Sequence, residues 1–212
     1  MYNQCALCSN TSLVVFQDQN NTVQVGNLTA TGWTLAPLHI DPAEKTGLAL
    51  APFYIEGQPD QVELWHQKQN GSLAKASWSQ EQQSWNPTLE LYPSISLPPS
   101  SPLAAASSYS TLASGSTPWL ELLSLSSTGI SVSSWSGATG AWLSPTVPST
   151  MSNATTQGTS YGSLAVTSIG TAFAVVAQGG KDAVQTWSLQ SDYASWDVPT
   201  GVGEVDLGGV WN

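Results

Sequence analysis

The stretch from residue 62 to residue 78, VELWHQKQNGSLAKASW, decides the fold. Apolar and polar residues alternate on both sides of Asn70-Gly71. An Asn-Gly pair between two alternating runs is a strong signal for a β-hairpin. Helix signals are absent elsewhere, because Pro, Ser and Thr interrupt segments such as 91–102 and 143–160. We therefore expect an all-β protein.

The same pattern of a tight turn followed by a tryptophan recurs along the chain with a period of about 50 residues. Periods of this length indicate a repeat architecture. Tight-turn signals occur at Asn20-Asn21, Asn70-Gly71, Thr128-Gly129 and Lys181-Asp182. The tryptophans that follow the four turns are Trp33, Trp85, Trp142 and Trp196. Apolar openers precede three of the turns, at Leu48-Ala49, Leu103-Ala104 and Leu164-Ala165. Four strands in each repeat of this length are the signature of β-propeller blades.

We predict one domain over residues 1–212, with repeats at roughly 11–45, 46–98, 99–158 and 159–202. The first repeat begins at SLVVFQ, which corresponds to a second strand. The apolar tail, residues 203–212, is therefore predicted to pair with the first repeat and to close a four-bladed ring. The alternative hypothesis is that the chain forms the C-terminal part of a larger propeller.

The charge of the chain excludes two classes of partner. Its only cations are Lys45, Lys68, Lys75 and Lys181, and the net charge is −10. Binding to nucleic acid requires a basic surface that neutralises phosphates, and attraction to an anionic membrane surface requires the same charge. We expect neither partner. The oligomeric state is left open.

The two cysteines say little about function or location, whereas the asparagine sequons favour a location outside the cell. Cys5 and Cys8 lack the further ligands of a zinc site and the following helix of a redox motif, so we expect no metal and no cofactor. Their oxidation state is left open. Sequons for N-glycosylation place candidate sites at Asn10, Asn20, Asn27, Asn70 and Asn153. Their number favours an extracellular or cell-surface glycoprotein.

Three segments carry a resemblance to a known family. VVFQDQNNTVQVGNLTATGWTL (14–35), LWHQKQNGSLAKASWSQEQQSWNP (64–87) and LSLSSTGISVSSWSGATGAW (123–142) resemble the repeats of fungal fucose-specific lectins. These lectins are six-bladed propellers that bind fucosides between neighbouring blades. Related repeats occur in lectin-like ectodomains of fungal surface proteins. The resemblance implies carbohydrate recognition, and it makes six blades the larger propeller of which this chain would form a part.

The sugar site of that family uses an arginine before the aromatic second strand and a glutamate on the third. The arginine position falls on Leu13, Glu63, Leu120 or Glu121, and Ala174 in the four repeats. The glutamate position falls on Val25, Lys75, Val132 and Thr186. No repeat retains the pair, so the resemblance implies degenerate sugar sites. In the second repeat, Glu63 and Lys75 correspond to the same pair with its charges exchanged.

The second repeat also holds the densest group of aromatic and charged residues. Carbohydrate sites combine an aromatic surface with a few convergent polar groups. The candidate ligand-binding residues are Glu63, Trp65, His66, Lys75, Trp78 and Trp85. The competing interpretations are that the repeated tryptophans pack between blades and that Glu63 and Lys75 form a structural ion pair.

We predict no catalytic residues. The fourteen carboxylates are scattered, whereas a glycosidase needs two that face each other across a cleft. A serine hydrolase would need G-x-S-x-G and a base, which only His39 or His66 could supply.

The sequence therefore favours a non-catalytic, fucose-lectin-like protein that binds glycans or glycoproteins. The alternative is a structural or protein-interaction ectodomain that has lost its sugar sites. A propeller glycoside hydrolase is the least favoured hypothesis.

Overall fold

The computed structural model describes residues 13–53, 61–79, 84–98, 100–109, 118–136, 141–154, 163–166, 171–178, 181–189 and 196–204. These residues form four antiparallel sheets, which follow one another along the chain. The only helical element among them is a single 3-10 turn, Ser149–Met151. The prediction of an all-β propeller with four blades is confirmed.

Each sheet is one blade, and its strands lie side by side in chain order. The first blade contains β1 (Leu13–Gln17), β2 (Val23–Thr29) and β3 (Gly32–Leu38). The second contains β4 (Leu48–Phe53), β5 (Gln61–Gln67), β6 (Ser72–Ser79) and β7 (Ser84–Ser96). The third contains β8 (Leu103–Tyr109), β9 (Pro118–Ser126), β10 (Gly129–Ser136) and β11 (Ala141–Trp142). The fourth contains β12 (Ser163–Val166), β13 (Thr171–Gln178), β14 (Lys181–Ser188) and β15 (Thr200–Glu204).

The hairpins of the first two blades close in the same way. The Asp18 amide donates to the Thr22 carbonyl at 2.9 Å, and the Lys68 amide donates to the Ser72 carbonyl at the same distance. Asn21 and Gly71 occupy the same place in their turns, with φ of 61° and 79°. Gly and Asn are the residues that adopt this left-handed conformation at least cost, which explains the repeated Asn-Asn and Asn-Gly signals.

Two sequence predictions require correction. Lys181 pairs with Gln178, so Lys181 and Asp182 begin β14 and lie in a strand, not in a turn. Gly203 and Glu204 pair with Val184 and Ala183, so the predicted closing strand begins inside the fourth blade. Residues 205–212 lie outside the described residues, and their pairing with the first blade stays a prediction.

Successive blades pack face to face. Because side chains alternate between the two faces of a strand, each blade has a forward face, towards the next blade in the chain, and a backward face, towards the preceding one. Val23 and Val25 of the first blade meet Leu64 and Ala76 of the second. Trp65 of the second blade meets Leu120 and Leu122 of the third. The third and fourth blades share the largest cluster, which includes Leu123, Ile130, Val176 and Trp187.

The four repeated tryptophans all belong to backward faces. Trp85 packs in the cluster with the first blade, Trp142 in that with the second, and Trp196 in that with the third. Trp33 occupies the same position on the first blade, since it pairs with Leu28 as Trp85 pairs with Trp78. No described blade precedes it, and Trp33 is 53% exposed.

Gln17 at the end of β1 and Gln67 at the end of β5 occupy equivalent positions. Their side chains form hydrogen bonds with the segments that connect one blade to the next. The Gln17 side-chain amide donates to the Ala43 carbonyl at 2.8 Å, and its oxygen accepts from the Thr46 amide at 3.0 Å. The Gln67 side-chain amide donates to the Pro98 carbonyl at 2.8 Å. Each glutamine therefore fastens its own blade to the segment that enters the next one.

Replacing a repeated tryptophan by alanine should destabilise the fold only where a preceding blade covers it. Trp196 is 5% exposed, and Trp196→Ala should lower the free energy of unfolding by about 3–5 kcal/mol because it leaves a cavity between two blades. Trp33→Ala is the matched control and should cost less than about 1 kcal/mol in dilute solution. Urea denaturation measures both, and equal losses would contradict the packing described above.

Candidate functional site

The predicted candidate residues divide between the two faces of the second blade. Glu63, Trp65 and Lys75 lie on the forward face, where Trp65 packs against the third blade. His66, Trp78 and Trp85 lie on the backward face, where Trp85 packs against the first blade. The structure therefore brings together three of the six residues, and the other three lie on the far side of the same sheet.

An ion pair occupies the forward face of the second blade. The Lys75 Nζ lies 3.3 Å from Glu63 Oε2 and 3.4 Å from Glu63 Oε1. The Ser77 hydroxyl donates to Glu63 Oε2 at 2.9 Å. The Glu63 side chain is 1% exposed, whereas that of Lys75 is 17% exposed. The carboxylate is thus buried in the interface, whereas the lysine side chain is partly exposed to solvent.

Tryptophans from two blades surround this pair. The Trp65 ring packs edge-on against Trp142 of the third blade, with ring centroids 5.0 Å apart and an interplanar angle of 80°. Lys75 Nζ lies 5.8 Å from the Trp65 ring centroid, within the range of a cation–π contact. Trp135 pairs with Trp142 and packs against the same cluster. Trp65 is buried, whereas Trp135 and Trp142 are half-buried.

His66 belongs to the opposite interface and is buried there. Burial lowers the pKa of its imidazole below the ordinary value of 6.5, and the nearby Lys68 lowers it further. The Gln67 carbonyl, 3.3 Å from Nδ1, and Asp41 partly offset this effect. The imidazole is therefore neutral at pH 7. Trp78 and Trp85 lie on the same face, with centroids 5.8 Å apart.

The strand registers show paired polar residues at the same position of two blades, which the sequence analysis missed. We call these pairs the polar row. Glu63 pairs with Ser77 on the next strand, and Glu121 of the third blade pairs with Ser134. Both serines donate to their glutamates, Ser134 at 3.2 Å. Asn27 holds the serine position in the first blade, opposite Leu13. The signal in the sequence is the recurrence of Glu and Ser at nearly constant spacing on either side of the second and third turns.

The same registers correct some of the positions that the sequence analysis assigned by resemblance to the lectin family. The arginine position of the third blade is Glu121, which resolves the choice between Leu120 and Glu121. In the fourth blade it is Phe173, because Ala174 points towards the third blade. The glutamate position of the fourth blade is Val184, opposite Val175, and not Thr186. The displacement arises because β14 already begins at Lys181, which the sequence analysis had placed in the turn.

Three of the predicted glycosylation sites are exposed. Asn20 and Asn70 lie in the hairpin turns, and Asn153 follows the 3-10 turn. Asn27 is half-buried on β2, and its side-chain oxygen is buried. Asn10 lies outside the described residues, as do Cys5 and Cys8.

Within the described part of the chain, no three His, Cys, Asp or Glu residues are grouped as metal ligands. None of its helices is long and apolar enough to cross a membrane.

The sequence matches no protein-family model and no curated protein sequence. Solved structures of fungal lectins nevertheless share the fold. The protein AofleA from Arthrobotrys oligospora is 18% identical, with a TM-score of 0.63 over 92% of this chain and 55% of its own. The six-bladed lectin of Aleuria aurantia is 16% identical, with a TM-score of 0.61 over 88% of this chain and 54% of its own.

A third similar structure is the lectin SapL1 in complex with alpha methyl fucoside, 16% identical, with a TM-score of 0.56 over 92% of this chain and 60% of its own. The chain thus spans little more than half the length of these lectins. The predicted resemblance to fungal fucose-specific lectins is confirmed for the fold.

The burial of His66 predicts a pH dependence of stability. The native state disfavours the imidazolium, so the unfolded chain binds more protons below pH 6.5 and stability falls as the pH drops through that value towards the lower native pKa. The decrease measured by urea denaturation between pH 7 and pH 5 should be smaller in His66→Gln. His39→Gln is the matched substitution at an exposed histidine, and equal decreases in the two variants would contradict the role assigned to His66.

The ion pair predicts a non-additive pair of substitutions. Lys75→Met leaves the Glu63 carboxylate buried without its cation and should cost about 3 kcal/mol of unfolding free energy. In the double variant Glu63→Leu/Lys75→Met, most of that loss should be recovered, because no buried charge is left. A double-mutant cycle by urea denaturation measures the coupling. Additive losses would show that the two side chains contribute independently.

Proposed function

We propose that the protein is a non-catalytic lectin that binds glycans at the cleft between the second and third blades. The observation that carries this proposal is the Glu63–Lys75 ion pair. Its lysine side chain is partly exposed to solvent at a largely apolar interface. An ammonium group offers three hydrogen-bond donors to sugar hydroxyls. The lectin fold of the structural neighbours supports the same class of ligand.

Each residue of the cleft has a distinct role in this proposal. Lys75 and the half-buried Ser77 supply hydrogen bonds, and Trp142 offers an aromatic surface for the C–H face of a sugar. Glu63 and Trp65 are too buried to touch a ligand. Glu63 acts by orienting Lys75, and Trp65 acts by packing against Trp142.

The ligand class follows from the exchanged charges. The solved lectins include complexes with Fucα1-6GlcNAc and alpha methyl fucoside. Here a lysine replaces the family's glutamate and a glutamate its arginine, so the local charge is balanced and one flexible donor is outermost. We infer a neutral glycan, and fucosylated oligosaccharides are the first candidates.

A second candidate function is a structural or protein-interaction ectodomain. It is favoured by the other two interfaces, which are filled mainly by Val, Leu, Ala and Ile. Lys75 is replaced by Val25 in the first blade and by Val132 in the third. On this hypothesis, the ion pair serves packing alone.

An extracellular location belongs to the proposal for both candidates. It is supported by the exposed positions of Asn20, Asn70 and Asn153, because a glycan can be attached only where its asparagine is reachable from solvent. Expression in a eukaryotic secretory system, followed by enzymatic removal of N-glycans, would reveal a shift in mass if these sites are used.

A glycan microarray with the purified chain tests the lectin proposal. The wild type should bind a restricted set of neutral glycans, and Lys75→Gln should weaken the apparent affinity at least about tenfold by removing a charged donor. Lys45→Gln, the same substitution at an exposed lysine, is the matched control and should bind as the wild type does. A folded wild type that binds no glycan would refute the proposal and leave the interaction ectodomain.

A further inference from the structure

The backward face of the first blade is an exposed apolar surface. We define the face by five residues, which share it by register: Val14, Phe16, Leu28, Trp33 and Leu35. Leu35 is the most exposed of them, at 59%. Gly26 lies among them, and a Cβ there would come within 2.6 Å of Val14. The side chains therefore close over the backbone at that point and make a continuous surface.

The equivalent positions of the second blade are buried. Val14 corresponds by register to Leu64, which is 0% exposed, and Gly26 to Ala76. In the second blade, the first blade covers these positions. The first blade thus presents the surface of a blade interface without a described neighbour. Contiguous apolar patches of this kind mark sites of association.

Little charge opposes association at this surface. Between residues 13 and 38 the chain has one charged side chain, Asp18, although fourteen carboxylates give the whole chain its charge of −10. Asp18 lies in the hairpin turn, where Gln24 and the amides of Asn20 and Thr22 donate to its carboxylate. These hydrogen bonds engage the carboxylate locally.

The fourth blade presents the complementary surface at the other end of the chain. Its forward face carries Phe173, 37% exposed, with the half-buried Val175 and Val184. These three residues correspond by register to Glu121, Leu123 and Val132 of the third blade. Those residues are buried, Leu123 and Val132 in the cluster with the fourth blade. One end of the molecule therefore exposes a forward face and the other end a backward face.

We propose that a second copy of this chain docks head to tail, with the forward face of its fourth blade on the backward face of the first blade. The contact continues the interfaces within the molecule, since each of them joins a forward face to a backward face. One such contact covers Phe173 of one copy together with both Trp33 and Leu35 of the other copy. This inference does not depend on the proposed glycan site.

Such a contact is heterologous, and it leaves one free face at each end of a dimer. Heterologous contacts generate either a closed ring or an open series of copies. An assembly that does not close would continue to grow with concentration.

Analytical ultracentrifugation of the wild type and three variants tests the proposal. The wild type should sediment as species heavier than 22.3 kDa, in proportions that rise with concentration. Leu35→Lys and Phe173→Lys each charge one face, and each variant alone should remain a monomer. An equimolar mixture of the two should form a 1:1 complex of about twice the monomer mass, because each variant retains the face that the other has lost. Leu143→Lys, at an exposed leucine of the third blade, is the control and should associate as the wild type does.

Three outcomes would overturn the proposal. A wild type that stays monomeric at all concentrations excludes association. A Phe173→Lys variant that still dimerises alone indicates that two first blades meet symmetrically. Variants that do not complement each other in the mixture exclude the head-to-tail contact. Circular dichroism of each variant shows whether the blades are folded, and all three positions are exposed, so the substitutions should preserve the fold.

Discussion

The contact between the forward face of one blade and the backward face of the next is the constraint on which the structure depends. An antiparallel sheet with two apolar faces cannot leave both in water, and every blade of this chain has apolar residues on both. Packing in series satisfies the inner faces with little help from charges. Each contact includes one of the repeated tryptophans, which lies against the preceding blade at Trp85, Trp142 and Trp196. The local hairpins provide the sheets, but these contacts set their order.

The sequence predicted the repeat and the blades because both depend on local signals. Asn70-Gly71 and Asn20-Asn21 each specify a turn through one left-handed residue, and alternation fixes the strands beside it. The composition of the site was less predictable. Trp65 and His66 are adjacent in the chain but point to opposite faces, so grouping by proximity in sequence joined residues of two interfaces. In the fourth repeat, Lys181 is already part of β14 and pairs with Gln178. Because the sequence analysis took Lys181 as the turn, it assigned Ala174 to the position that Phe173 occupies in the register.

The three interfaces differ in chemistry although they share one geometry. The first and third contain mainly aliphatic side chains beside His66 and Glu121 respectively, and in the second a carboxylate is paired with an ammonium group. Charges in such a place cost desolvation energy that a well-packed aliphatic pair avoids. The serine beneath each glutamate, Ser77 or Ser134, offsets part of that cost through a hydrogen bond. Because the polar row accepts several side-chain types, the interfaces can differ in polarity while they keep one packing geometry.

The glutamines at the ends of β1 and β5 have a consequence for local unfolding. In a repeat protein, the stability of each unit and the coupling between neighbours determine how much of the molecule opens together. Gln17 and Gln67 tie the end of one blade to the entrance of the next through main-chain groups, so opening either blade breaks hydrogen bonds that order the other. These hydrogen bonds thereby add to the apolar contacts that couple the first three blades. A substitution at either glutamine would weaken this coupling without removing an apolar contact from any interface.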